Sequence, residues 1–136
     1  MAWSCPLDYE PVSKFLCILD TGHKTWADIL EAGRFALAFP SFGQKNLVER
    51  CGSVSGFKVD KYEAFSIPAM AGEAVDVRIP EGVAGWVECS LMKTEILGTS
   101  GIVYTEALKA RALASFWKHR LHYASEGVYF RPGDIV

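Results

Sequence analysis

The chain has 136 residues, 50% of them hydrophobic and 22% charged, with a formal net charge of −2. This size and composition exclude a disordered chain and leave room for one domain with a real core, not for two ordinary ones. The weak acidity excludes a general attraction to nucleic acid or to an anionic membrane, and no run approaches the roughly 20 apolar residues that cross a bilayer.

The start of the chain shows no basic stretch followed by an apolar run, so no signal peptide is expected. Cys5, Cys17, Cys51 and Cys89 are scattered and form no CxxC pair, which argues against zinc and for free thiols in a cytoplasmic protein. Neither GxGxxG nor GxxxxGK[ST] occurs.

Residues 1–13 carry Pro6 and Pro11 and read as loop. Lys14 to Asp20 is a nearly continuous apolar run that fits a strand buried on both faces, broken by Thr21 and Gly22. Thr25 reads as a helix N-cap, with Asp28 placed to favour the free N–H groups of the first turn. That helix is expected to end near Ala32, with Gly33 as its stop.

Phe35 to Phe39 reads as a second buried strand, ended by Pro40, and Gln44 to Cys51 as a second helix with Leu47 and Val48 inward. Residues 52–61 are rich in Gly and Ser and read as a loop. Val75 to Ile79 alternates like a half-buried strand, and Ala84 to Glu95 reads as a long one. Residues 101–113 begin β-like, then carry Ala, Leu, Lys and Glu, which favour helix on propensity; we assign them to a strand. Ser115 to Tyr123 fits a short helix or loop, and Gly127 to Phe130 a last strand. Strands outnumber helices and are too closely spaced for a wound α/β sheet, so the expected fold is mainly β, a small β-barrel with short helices over its openings.

Several segments, in this order, resemble the flavin reductase-like, FMN-binding split-barrel family. Met1-Ala2-Trp3-Ser4 resembles the strand that passes the flavin ring. Leu19 to Ile29 (LDTGHKTWADI) resembles the phosphate loop and the helix start that follows it. Gly33 to Ala38 resembles a family strand, Cys51 to Gly56 with Asp60-Lys61-Tyr62 resembles the signature "cG-x-x-SG-x-x-x-DKf", and Trp86 to Cys89 resembles "leC". Leu121-His122-Tyr123 with Gly127-Val128-Tyr129 resembles the family's ending. Ala38 departs from the family, which often has Asn there. The family also has several tens of residues before the Met1 segment, including its first strand. The resemblance therefore implies a single domain over 1–136 that lacks that strand region and has one open barrel edge.

The resemblance implies bound FMN. A dianionic phosphate calls for N–H and O–H donors with positive charge nearby, which a helix N-terminus supplies. His23, Lys24 and Thr25 stand at such a terminus; the plain alternative is a capping Thr25 and a solvated Lys24. Ala2, Trp3 and Ser4 would offer backbone groups as one wall of the ring slot. Ser55, Gly56 and Lys61 would meet the phosphate or the pyrimidine edge, with Gly56 allowing a close backbone approach; an ordinary turn and a Lys61 paired locally with Asp60 or Glu63 are the alternatives. His119 and His122 are further titratable candidates. Trp117, Tyr123 and Tyr129 read as core or interface residues. No acid–base pair stands out, so no catalytic residue is assigned.

Three functions are compatible with this pattern: an NAD(P)H-dependent flavin reductase, an FMN electron carrier, and a cofactor-free remnant of the fold. The related pyridoxamine phosphate oxidase-like barrels also bind FMN. The resemblance further implies a homodimer with each FMN near the interface.

Overall fold

A computed structural model describes residues 3–132. The mainly β fold class expected from the sequence is what the chain adopts. One sheet carries five strands in the order β1-β2-β7-β6-β3, every neighbouring pair antiparallel. They are β1 (Trp3–Asp8), β2 (Lys14–Asp20), β3 (Arg34–Phe39), β6 (Gly85–Leu97) and β7 (Ser100–Ala112). A two-stranded ribbon, β4 (Ala69–Ala71) with β5 (Arg78–Pro80), lies over one side. A second, β8 (His122–Ser125) with β9 (Val128–Phe130), ends the described chain. The helices are α1 (Lys24–Ala32), α2 (Lys45–Gly52), preceded by a 3-10 turn at Phe42–Gln44, α3 (Lys61–Ala64) and α4 (Ala114–Trp117). Among the described residues no helix is long and apolar enough to cross a membrane.

The large sheet curls around its own apolar face. Cys17 and Leu19 from β2, Phe35 from β3, Cys89 from β6 and Val103 from β7 form the inner core, with Phe15, Leu37, Val87 and Leu91 packed on it. Helix α1 plugs one end by lowering Trp26 and Ile29 into this cluster. The plug depends on Gly101 in β7, where any Cβ would stand 2.6 Å from Cε3 of the Trp26 ring. On the outer face of β3 and β6, Trp86 packs with Ile79 and Val83 against Ala36, Ala38, Met70 and Val77, beneath the β4–β5 ribbon.

Glu88, fully buried on β6, fixes the loop that leads into that ribbon. Its Oε2 accepts from the backbone N–H groups of Ala74 (2.6 Å) and Val75 (2.8 Å), and its Oε1 accepts from Glu73 N–H (3.0 Å) and Trp86 Nε1 (3.2 Å). Burial alone would raise the pKa of this carboxyl, but the N–H groups donated to it outweigh desolvation and hold it below its ordinary value.

The structure corrects several sequence expectations. Residues 3–8 are a strand, not loop: as the edge of the sheet, β1 tolerates Pro6, whose missing N–H interrupts no inner ladder, and the register breaks between Pro6 and Asp8. The strand expected over Val75 to Ile79 starts only at Arg78, because Glu88 draws Ala74 and Val75 into a loop. Thr25 does not cap α1. The cap position is His23, without a side-chain bond, and Asp28 pairs with Lys24 instead of serving the first turn. Gly33 ends the helix as expected, in the left-handed conformation at φ 65°. The strand assignment at 101–113 holds against helix propensity: β7 runs between β2 and β6, and this pairing overrides local preference.

Candidate functional site

The chain leaves β2 through a tight turn. Gly22 N–H donates to Asp20 Oδ1 (2.7 Å) and His23 N–H to the Asp20 carbonyl (3.1 Å), which turns the backbone into α1. Among the described residues no side chain caps this terminus; Trp26 N–H donates to the His23 carbonyl (3.0 Å), and the N–H groups of Lys24 and Thr25 stay open to a ligand. Thr25 lies in the exposed first turn, and its hydroxyl makes no hydrogen bond to the described residues. Lys24 carries its stem across to the 52–60 loop, and a Cβ on Gly56 would stand 3.3 Å from both Cβ and Cδ of Lys24. The helix start and the Ser-Gly loop therefore meet, which the sequence reading needed and could not itself provide.

Ser55 shapes that loop. Its carbonyl accepts from Lys58 and Val59 N–H (3.0 and 3.2 Å), and its Oγ accepts from Phe57 N–H (3.3 Å). Lys61 does not make the local pair with Asp60 or Glu63 that was the plain alternative. Its ammonium, partly buried, donates to the Cys51 carbonyl and clamps the end of α2. Asp60 and Glu63 pair with Arg78, at 3.2 and 3.7 Å, and not with Lys61.

The register of β1 against β2 puts Trp3 opposite Ile18 and Ser4 opposite Cys17. The first residues of β1 thus stand at the end of the sheet where β2 turns into α1. Being an edge strand, β1 has one side of its backbone unpaired, as a wall offering N–H and C=O groups requires. Ala2 lies outside the described residues. Beyond Ser4 runs a cleft of about 400 Å³ with apolar walls from Pro6, Leu7, Phe15, Leu37 and Phe39, so both edge strands line it. Ala38, the departure from the family pattern, packs in the outer layer beneath the β4–β5 ribbon.

The other candidates fall outside this cluster. His119 is exposed, and its carbonyl accepts from Phe42 N–H (2.7 Å). The His122 ring stacks on Phe130 at 4.9 Å; burial, helped by Arg120, lowers its pKa. Trp117 meets Phe39 edge-on at 5.7 Å, and Tyr123 meets Tyr129 in the same way at 5.6 Å, as packing residues do. All four cysteines are free, and burial pushes the thiols of Cys17 and Cys89 up to about 11 and about 12, which leaves them unreactive. Among the described residues no group of three or more His, Cys, Asp or Glu could hold a metal ion.

Sequence reasoning missed a second cleft, of about 310 Å³, with Thr25 among its lining residues. Asp28, Ile29, Arg34, Tyr62 and Arg78 line it as well. Arg34 and Tyr62 both stand inside segments already matched to the family, but only the folded chain brings them to one cleft.

Comparison with known proteins agrees with this architecture. The family model described as "Flavin reductase like domain" matches residues 1–128. The uncharacterized protein YddH of Escherichia coli strain K12 is 30% identical over 148 residues, covering 99% of this chain and 78% of its own. The crystal structure of an FMN-binding protein from Thermus thermophilus with bound p-hydroxybenzaldehyde superposes with a TM-score of 0.86 at 27% identity, over 98% of this chain and 77% of the other. Flavoredoxin from Methanosarcina acetivorans shares the fold, with a TM-score of 0.85 at 22% identity over 98% and 76% of the two chains. With the family model spanning nearly the whole chain and the barrel matching structure by structure, this protein belongs to the flavin reductase like domain family.

Proposed function

We propose that the protein is an FMN-binding flavin reductase-type oxidoreductase that takes its electrons from NAD(P)H. The observation that carries this reading is the contact between Lys24 at the start of α1 and Gly56 in the Ser-Gly loop. It gathers a cation, a free hydroxyl on Thr25 and an uncapped helix terminus around one point, the donor set that a phosphate dianion calls for. The FMN-binding relative from Thermus thermophilus supports the choice of flavin.

Bound FMN would supply the redox chemistry, so the protein needs no nucleophile of its own. Lys24, Thr25 and the first N–H groups of α1 would hold the phosphate, with His23 beside them. Ser55 and Gly56 would close over it, and Lys61 would fix the loop that carries them. Trp3 and Ser4, together with Ala2, would set the ring edge through backbone groups of β1.

We also propose a homodimer. Trp3, Leu16, Ile18, Ile102 and Tyr104 stand side by side on the outer face of β1, β2 and β7 by register, and among the described residues no element covers them. Four free cysteines support a cytoplasmic setting.

The test is the visible spectrum of the purified protein after incubation with FMN and desalting. Retained flavin bands, bleached by NADH or NADPH, are the expected result. Retained bands that neither nucleotide bleaches would favour an electron carrier, and a colourless protein would refute the cofactor assignment. Light scattering after size exclusion should give the mass of a dimer; a monomer would refute that part.

A further inference from the structure

We infer that the β8–β9 ribbon is a strap that closes the apolar cleft between β1 and β3, by extending a ladder already begun on the free edge of β3. The inference stands apart from the flavin reading. Just beyond β3, Ser41 bridges Arg120 in the antiparallel sense. Phe42 N–H donates to the His119 carbonyl (2.7 Å), and Leu121 N–H donates to the Pro40 carbonyl (2.8 Å). The Phe39 carbonyl accepts from Ala84 N–H (2.8 Å), on the β6 side. Backbone groups point to alternate sides along a strand, so those of Pro40, Ala38 and Ala36 face away from β6. Residues 119–121 therefore lie on the edge of β3 that borders the cleft.

Because residues 119–121 run antiparallel to β3, the chain that follows them, β8, is aimed down this same edge. The register of Ser41 with Arg120, continued, sets His122 opposite Phe39, Tyr123 opposite Ala38 and Ala124 opposite Leu37. Among the described residues β6 is the only strand beside β3, and β9 the only strand beside β8, so each keeps a free edge. Pro40 has no N–H to return to the Leu121 carbonyl, and the ladder breaks there.

The faces match as well. In the ribbon His122 stands opposite Phe130 and Tyr123 opposite Tyr129. Alternation then puts His122, Ala124, Val128 and Phe130 on one face and the two tyrosines on the other. Val128 and Phe130 are 53% and 52% exposed, a cost that burial would remove. Cross-strand partners share a face, so in the continued register the His122 face turns towards the cleft with Phe39 and Leu37. There it meets the apolar walls of Pro6, Leu7 and Phe15. The ribbon is held away by Lys45 over Tyr129 (5.4 Å) and Arg131 over Phe42 (4.8 Å), contacts of an individually weak kind. With the strap open the cleft admits an apolar ligand beside Ser4; with it closed the cleft is sealed.

The experiment uses the full chain with Cys5, which lines the cleft, replaced by Ser. Leu37→Cys with Ala124→Cys is oxidised by glutathione disulfide, and the bridge is mapped by mass spectrometry. In the closed register these two form a non-hydrogen-bonded pair with Cα atoms about 4.5 Å apart, within the disulfide range of about 4.4–6.8 Å. Leu37→Cys with Ser125→Cys, one residue out of register, is the control. The expected result is that the first pair cross-links at least about tenfold faster than the control. On oxidation the Ala38 amide should exchange at least about tenfold more slowly, and binding of the apolar dye ANS should fall by at least about half. Equal rates for the two pairs, no cross-link, an Ala38 amide that oxidation leaves unchanged, or undiminished ANS binding would overturn the strap. Phe39→Cys with His122→Cys samples the same register with the same readouts if Leu37→Cys impairs folding, which thermal melts of the reduced variants reveal.

Discussion

Replacing Glu88 by Gln isolates one carboxylate oxygen without changing the shape of the side chain. In the native protein each oxygen accepts two N–H donors, and the residue is fully buried. Glutamine keeps one acceptor and turns the other into an NH₂ group that faces two donors. Two bonds to a charged group are lost, each worth about 1.5–3 kcal/mol, so a loss of about 3–5 kcal/mol is expected after relaxation. Against a total stability of about 5–15 kcal/mol, this is large. Equilibrium urea unfolding followed by tryptophan fluorescence measures it through the midpoint at unchanged slope. The sign of the pH dependence follows from the lowered pKa of the native carboxyl. Its contribution is complete above the unfolded value of about 4.3 and is lost as pH falls through the lower folded value, so the difference between wild type and Glu88→Gln should shrink below about pH 4. A loss under about 1 kcal/mol at neutral pH, or a difference that grows in acid, would refute the reasoning.

The remaining predictions concern the helix start and the barrel plug. Thr25→Ala removes a hydroxyl that caps nothing, so Tm should stay within about 2 °C while FMN binding weakens by about five- to tenfold; a fall in Tm with unchanged binding would return Thr25 to a structural role. Gly101→Ala pushes a methyl group into the Trp26 ring and should cost about 2–3 kcal/mol in urea unfolding; a variant of wild-type stability would mean that the indole does not need its seat against β7.

Most strands were legible because their apolar runs are bounded by turn residues. Lys14–Asp20 and Arg34–Phe39 are examples, each ended by Thr, Gly or Pro. What the sequence concealed is set by position in the sheet. Trp3–Asp8 looks like loop because of Pro6, and only its place at the edge makes a proline compatible with pairing. His122–Ser125 carries too short a pattern to stand out from the loop around it. At the site, the motifs marked Lys24 and Gly56, but their contact joins positions far apart in the chain and depends on how the loop folds back. The local carboxylate pair expected as the alternative for Lys61 is replaced by a bond to a backbone carbonyl, which leaves no trace in side-chain spacing. The second cleft was hidden for the same reason, since Thr25, Arg34 and Arg78 become neighbours only through packing.

The long β6–β7 hairpin also sets the order in which the sheet can assemble. Its two 13-residue strands are joined by a tight turn at Gly98, so their ladder forms from local contacts at small entropic cost. The partner of β7 on its other side is β2, with Lys14 opposite Glu106 and Asp20 opposite Ser100, and closing that distance demands a much larger loop. The hairpin therefore acts as the template on which β2, and through it β1, must dock late. In pulse-labelled hydrogen exchange during refolding, amides of β6 and β7 gain protection ahead of those in β2, and the helix start beside β2 is assembled with the last strands to arrive.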